Sequence, residues 1–524
     1  MSAPTREEAR PALRRGPRDA VLLPLVGLLA TVVVALGSWR PSLWTDEAAT
    51  LSAAQRSPAD LWRMLQHLDA VHGLYYAAMH VWTQVAGTSP LALRLPSAVA
   101  VGAGAVGVLV LTRRLTGSSS TALLAATVCT LLPRTAWSGT EARPTAVATA
   151  LAVWATVLLV RALGAPRGSR VRWWAGYALV AAVGVVVDVY LLLLLVAHGA
   201  TVLLLRDVPA RRRLPWAVAA GAAGLVSAPV VLLVRSQGGQ LGGSAPGPLA
   251  LARRVVVDQF FLGETPTAGS GAGSGVTGGS WSWWQPAAVA LAALGWALVA
   301  VALARSTAAG PVARWCLPWL LVPCGLVVLA ALAVPASAGP LYNPRYFAFS
   351  APALAVLLGC GLAALPGRRR LLVAGLAVLL AAPVLASQRT PHAKDASDWA
   401  QAAEHLCRSA SPGDAVYFGA RRPPVDGTVT LTTRNVSVAY PRCFAGLEDL
   451  TLTRTPAAAG DLTGRSRPLA AATADLAAHD TVWVVRRPTD ATVAADDETL
   501  AQAGYVVAGR WSGPLDEVVE FTRG

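Results

Sequence analysis

Charge is what this sequence has least of. Only 14% of its 524 residues are Asp, Glu, Lys or Arg, against 54% hydrophobic, and the mean hydropathy is +0.49. Globular chains average about a quarter charged residues. A water-soluble protein this poor in charge could not cover its own surface, which excludes soluble, disordered and collagen-like classes. Lysine is nearly missing: Lys394 is the only one among 44 basic residues, a compositional bias rather than a physical signal. Cysteine is sparse too, six in all, with no metal-ligand spacing. Cys129, Cys316, Cys324 and Cys360 fall in apolar runs, where Cys behaves as a small hydrophobe. Cys407 and Cys443 lie in the polar C-terminal part; they can pair if that part faces an oxidising compartment, or stay as two thiols. There is no convincing small-residue cleavage site behind the first apolar run, so that run is expected to persist as a helix.

What the sequence does have is repeated apolar runs long enough to span a bilayer. They read as 20–38, 91–112, 120–137, 145–161, 173–188, 189–205, 214–234, 284–304, 315–334, 346–366 and 371–387, a polytopic α-helical membrane protein with about 11 transmembrane helices. The net charge of +15 divides unevenly. Residues 1–370 hold 30 Arg against 12 acids, whereas 371–524 hold 14 basic residues against 17 acids. The positive excess thus belongs to the membrane half, where loop arginines set orientation, and no nucleic-acid partner is expected. With the N-terminus in the cytoplasm, 20 of the 30 arginines fall in short cytoplasmic segments, among them Arg113, Arg114, Arg161, Arg305, Arg314 and Arg368–Arg370. An odd number of helices then puts the C-terminus outside.

Three regions follow: a basic cytoplasmic N-terminus at 1–19, a membrane domain at 20–387 and an extracytoplasmic domain at 388–524. Two outer loops are long. The first, 39–90, carries amphipathic segments at Asp60–Leu68 and Leu74–Val85, of the kind that lie in a membrane interface. The other, 235–283, is Gly/Ser-rich and reads as a linker or flap. The C-terminal part alternates helix and strand: Asp398–Arg408 helix, Ala415–Phe418 strand, Leu469–Ala478 helix, Thr481–Val485 strand, a helix at Glu498–Ala503, then a hairpin of Tyr505–Trp511 and Glu517–Thr522. A small α/β domain is expected.

Ionisable residues at membrane depth are functional candidates by default. Here they gather on the outer level: Asp46-Glu47 behind the first helix, then Asp69, His72, Tyr75 and Tyr76, then Arg94, then Glu141 and Arg143, then Arg345, with Asp188 at the outer end of the fifth span. The motifs that hold them are Trp-x-Asp-Glu-Ala, Asp-x-x-His-x-Leu-Tyr-Tyr, Leu-Arg-Leu-Pro-Ser, Glu-x-Arg and Asn-Pro-Arg-Tyr. Together over 20–387 they resemble the GT-C glycosyltransferases, and within them glycosyltransferase family 39, which includes protein O-mannosyltransferases and aminoarabinose transferases, notably its actinobacterial members. Two positions depart from the pattern: Gly73 stands where many members have proline after the His, and Pro144-Thr145 where many have Tyr.

The resemblance implies a GT-C fold, a polyprenyl-phosphate-linked sugar donor (mannose being the commonest), inversion at the anomeric carbon, and a protein, glycan or lipid acceptor on the outer face of the cell membrane. The residues suit that chemistry independently. A carboxylate at the membrane edge can take the acceptor hydroxyl's proton, which singles out Asp46 as base. Glu47 is expected to orient the acceptor or a divalent metal ion; no cofactor is fixed by the pattern. Guanidinium matches phosphate oxygens bidentately, which makes Arg345 the expected phosphate ligand. Arg143 and Arg94 are second choices that could instead pair with Glu141 or Asp69. His72 is expected to contact the sugar or the phosphate, or else to be structural; Tyr75 and Tyr76 are expected to line the sugar site or to act as interface anchors, and Asp188 to stand at the site's edge. The competing class is a transporter or flippase of a lipid-linked sugar, for which paired repeats and broken midplane helices would be expected, and no clear repeat is present.

Overall fold

The computed structural model describes residues 17–205, 210–238, 247–263, 284–305, 309–334 and 342–524. The N-terminal arginines up to Arg15, and residues 239–246 and 264–283 of the glycine-rich loop, lie outside the described residues. The chain is mostly helical in its first three quarters. Among the described residues eight helices are long and apolar enough to cross a membrane, and three shorter apolar helices stand at the other expected runs. This is a multi-pass membrane protein.

In chain order the helices are α1 Pro17–Ala35, α2 Thr45–Ala54, α3 Pro58–Leu65, α4 Gly73–Ala86, α5 Pro90–Thr116, α6 Ser119–Leu131, α7 Pro133–Gly139, α8 Thr145–Gly164, α9 Arg170–Val187, α10 Leu191–Leu204, α11 Ala210–Ser236, α12 Pro248–Arg253, α13 Gln285–Arg305, α14 Ala309–Ala333, α15 Ala351–Ala363 and α16 Gly367–Ser387. Several boundaries differ from the apolar runs for identifiable reasons. The run 120–137 is two helices, because Pro133 forces Leu132 into an extended conformation (ψ 126°) and restarts the chain as α7. The run at 346–366 begins with a 3-10 turn, Pro344–Ser350, started by Asn343, whose side-chain oxygen accepts from the Arg345 amide. The loop read as a linker contains α12 and a π-helix, Arg254–Leu262, so part of it is regular structure.

Small residues let the helices approach. A Cβ on Gly102 of α5 would lie 2.2 Å from Thr31 and 2.5 Å from the Gly27 carbonyl of α1. One on Gly361 of α15 would lie 2.2 Å from the Leu298 carbonyl of α13. With no hydrophobic drive between helices in lipid, such close packing is what holds them. α15 is the central helix, buried along its whole length from Ala351 to Leu362.

The C-terminal domain adds α17 Trp399–Ser409, β1 Ala415–Phe418, α18 Asn435–Ala439, β2 Glu448–Asp449, β3 Leu452–Arg454, α19 Pro456–Ala459, β4 Arg465–Ser466, α20 Thr473–Leu476, β5 Thr481–Arg486, α21 Val493–Gln502, β6 Tyr505–Ser512 and β7 Glu517–Arg523. Its main sheet has the order β2-β1-β5-β7-β6, parallel on one side and antiparallel on the other. The period of two sorts β5 between two cores. Val482 and Val484 join Leu476, Leu500 and Phe521 on one face. Trp483 and Val485 face α17 on the other, within a cluster that continues into Leu51 of α2, Met64 of α3 and Met79 of α4. The apolar stripes of the first-loop helices are thus used to seat the C-terminal domain. Cys407 and Cys443 form a disulfide joining α17 to the turn after α18.

Candidate active site

Asp46 stands in the first turn of α2, where the helix dipole favours an acid. Its carboxylate accepts from the Arg345 guanidinium at 2.7 Å and lies 3.9 Å from Arg143 Nε. Arg143 is a hub. It donates to the Asp46 carbonyl at 3.3 Å, to the Tyr76 hydroxyl at 3.2 Å and to His72 Nε2 at 2.6 Å. Tyr76 in turn donates to Asp69 at 2.8 Å. Because arginine can only donate, the His72 proton sits on Nδ1 and the ring is neutral. Asp69, at φ 55°, holds the left-handed turn that swings His72 toward Arg143. Three stretches of chain therefore meet: the loop between α1 and α5, the turn after α7 and the 3-10 turn that opens α15.

The electrostatics follow from that geometry. Burial pushes the Asp46 carboxyl up, but Arg345 and Arg143 overcome it and bring it down to about 2. Burial, with Arg143 beside it, holds His72 well below the usual imidazole range. The cluster remains partly open to solvent, with side-chain exposures of 22% for Asp46, 26% for Arg345 and 12% for Arg143.

Glu47, the next residue, is elsewhere. It points inward, fully buried, and takes two charge-assisted bonds from Arg94 at 2.7 and 2.5 Å and one from the Ala142 amide at 2.9 Å. Arg94 spends its remaining donors on the carbonyls of Ser38, Pro41 and Ser42. Its ion-pair partner is thus Glu47, not Glu141 or Asp69 as the spacing had allowed, and Arg143 pairs with Asp46. Glu141 is buried within electrostatic range of Arg94. Tyr75 is buried in the apolar cluster beside Met79 and Leu93 rather than in the Asp46 group. Asp188 accepts from the Tyr190 amide and approaches the cluster through aromatic neighbours: the Tyr190 ring lies 5.0 Å from Tyr346, which lies under Arg345.

Some residues around the site escaped the sequence reading. Lys394 is fully buried, with its ammonium 3.5 Å from the Trp137 ring centroid, and its singularity in the composition was the available signal. Tyr440 and Ser397, which bond the backbone just before Asp46, gave no local signal. Among the described residues no group of three His, Cys, Asp or Glu is assembled as a metal ion would require.

Residues 74–232 match the family model of dolichyl-phosphate-mannose-protein mannosyltransferases. No curated protein matches the chain in sequence. Two solved structures share its fold over nearly the whole length of both chains. ArnT from Cupriavidus metallidurans in the apo state is 14% identical, with a TM-score of 0.56 over 96% of this chain and 97% of that one. The same protein bound to undecaprenyl phosphate is 14% identical, with a TM-score of 0.52 over 97% and 98%. The architecture that the motif resemblance implies is met over the whole chain, and the family match lies within it. The chain thus has the fold of ArnT over nearly its whole length, and its segment from α4 to α11 matches the dolichyl-phosphate-mannose-protein mannosyltransferase model.

Proposed function

We propose that the protein is an inverting glycosyltransferase that moves a sugar, mannose in the first instance, from a polyprenyl-phosphate donor to an acceptor on the outer face of the membrane. The observation that carries this reading is the Asp46–Arg345 pair, 2.7 Å apart across 299 residues of sequence. One group can accept a proton, and the other can bind a phosphate. In the proposed step the acceptor hydroxyl oxygen attacks the anomeric carbon while its proton passes to the Asp46 carboxylate. The bond from that carbon to the phosphate oxygen breaks, and Arg345 and Arg143 stabilise the charge gained by the departing polyprenyl phosphate. A single displacement inverts the anomeric centre.

The free Asp46 carboxylate, at about 2, is a weak base. A donor phosphate that draws Arg345 to itself would weaken the ion pair and raise the basicity of Asp46 when it is needed. The solved ArnT complex with undecaprenyl phosphate supports a donor of this kind in this fold. The arginine distribution supports an N-terminus inside, and the Cys407–Cys443 disulfide supports an oxidising, outer compartment for the C-terminal domain.

The test is transfer in membranes with and without the protein, from a panel of radiolabelled polyprenyl-phosphate sugars, with Asp46→Asn as the inactive control. Label should pass to an endogenous acceptor from one donor only, and mannose is the expected one. Equal background from every donor would remove the proposal.

A further inference from the structure

The residues just before Asp46 are held in an unusual way. Arg94 donates to the Ser42 carbonyl at 3.1 Å. All other polar groups of the Ser42-Leu43 backbone bond to chain more than 340 residues further on. The Ser42 amide donates to the Pro391 carbonyl at 2.9 Å. The Leu43 amide donates to the Tyr440 hydroxyl at 2.8 Å. The Leu43 carbonyl accepts from the Ser397 hydroxyl at 2.7 Å. Even the Ser42 side chain is engaged, donating to Gln401 at 3.1 Å and accepting from the Ala400 amide at 3.2 Å. The Leu43 side chain is fully buried. Three residues later, Asp46 meets Arg345.

Tyr440 is itself fixed on both sides. Its amide closes α18 by donating to the Val436 carbonyl, and Val436 and Ala439 pack in the same cluster as Leu51 of α2. On the other side the Cys443 amide donates to the Tyr440 carbonyl, and Cys443 is bonded to Cys407 of α17, the helix that supplies Ala400 and Gln401. The C-terminal domain therefore grips the start of α2 through one braced element.

We infer that Tyr440, with Ser397, is a positioning residue for the reaction: the C-terminal domain sets the register of α2 and so the placement of the Asp46 carboxylate against Arg345. The inference rests on the proposed role of Asp46. Reaction rates are sensitive to misplacement of about 1 Å, which can cost on the order of a hundredfold. A domain joined to the membrane half by one connector is thus also part of the catalytic scaffold.

The test uses the full-length protein in detergent and two readouts. Tyr440→Phe keeps the ring and removes only the hydroxyl. Amide exchange at residues 43–48 should quicken by about tenfold, as expected for the loss of one buried bond. Turnover should fall roughly tenfold to a hundredfold while donor KM stays within about twofold. Tyr505→Phe is the matched control: it deletes a buried hydroxyl of the same domain, bonded to the Leu476 and His479 carbonyls in the core that does not include α2 or α17. It should change neither readout. Unaltered exchange and turnover in Tyr440→Phe would overturn the inference, as would an equal loss of turnover in Tyr505→Phe. Should Tyr440→Phe fail to accumulate, Ser397→Ala puts the same question through the Leu43 carbonyl. If the wild-type protein transfers no sugar from any donor, the functional reading fails, and the exchange measurement still decides the clamp.

Discussion

The Asp46–Arg345 pair keeps 22% and 26% of its side-chain surface exposed, whereas the neighbouring Glu47–Arg94 pair keeps none on either side. Both acids come from one turn of one helix. Successive helical residues point about 100° apart, so one faces the solvent-open cluster and the other faces the protein. The difference in surroundings sets what each pair can do. A sealed pair whose donors are all used cannot exchange partners; it ties the first loop to α5 and to the Ala142 turn. An open pair can be entered by a phosphate or a hydroxyl. The sequence motif Asp-Glu thus contains two functions divided by helical geometry.

The comparison breaks most decisively at Asp46. Asp46→Asn keeps the shape and removes the basicity, and turnover should fall by about 10² or more with normal insertion and folded yield. Near-normal turnover in a quantified membrane assay would dismiss Asp46 as base. Arg94→Ala should give the opposite profile. It leaves the Glu47 charge buried without its partner, a defect worth about 3–5 kcal/mol. The folded fraction in detergent, measured by thermal scanning or size exclusion, should collapse before any effect on donor affinity can be seen. A stable Arg94→Ala protein with selectively weakened donor binding would reverse the assignment of the two pairs.

Arg345 sharpens the contrast on a finer scale. Lysine keeps the charge but loses the planar fork, so Arg345→Lys should retain more activity than Arg345→Ala, with both raising donor KM and Ala by roughly tenfold or more. The competing view makes Arg345 an interfacial anchor, its stem lying along apolar surface. That view predicts a lower melting temperature and an unchanged donor response, and donor titration on the purified Ala variant separates the two.

Much of this was legible in the chain. The apolar runs located the membrane helices, because hydrocarbon solvates nothing but apolar side chains and satisfied backbone. Ionisable groups beside the apolar runs singled out Asp46, His72, Tyr76, Arg143 and Arg345 as candidates, because such residues are costly near the bilayer, and the fold brings these five together. The strands expected at Ala415–Phe418 and Tyr505–Trp511 stand at Ala415–Phe418 and Tyr505–Ser512. What stayed hidden was pairing over distance. Nothing local to Glu47 says that Arg94 will take both its oxygens, and nothing local to Tyr440 says that its hydroxyl will meet the Leu43 amide. The break at Pro133 was written in the sequence, but apolar content alone carried the run through it.

The smallest expected effect concerns pH, and it bears on how the open pair works. Asp46 has its carboxyl lowered to about 2, so its contribution to stability is full above the ordinary carboxylate range and is lost only as pH falls toward 2. His72 is held well below the usual imidazole range by burial and Arg143, so it is neutral throughout the physiological interval. Neither group of the free enzyme changes charge between about pH 5 and 8. Since kcat/KM reports the free enzyme, its profile should show no acid limb in that window. The turnover number reports the enzyme with donor bound, where the phosphate competes for Arg345 and the Asp46 carboxyl rises. Any acid limb should therefore appear at higher pH in kcat than in kcat/KM. An acid limb near pH 6 in kcat/KM that vanishes in His72→Asn would mean that the imidazole titrates, and that the neutral ring accepting from Arg143 is not the working state. A kcat limb no higher than that of kcat/KM would mean that the donor leaves the Asp46–Arg345 pair intact, and the exchange of partners at the open site would have to be abandoned.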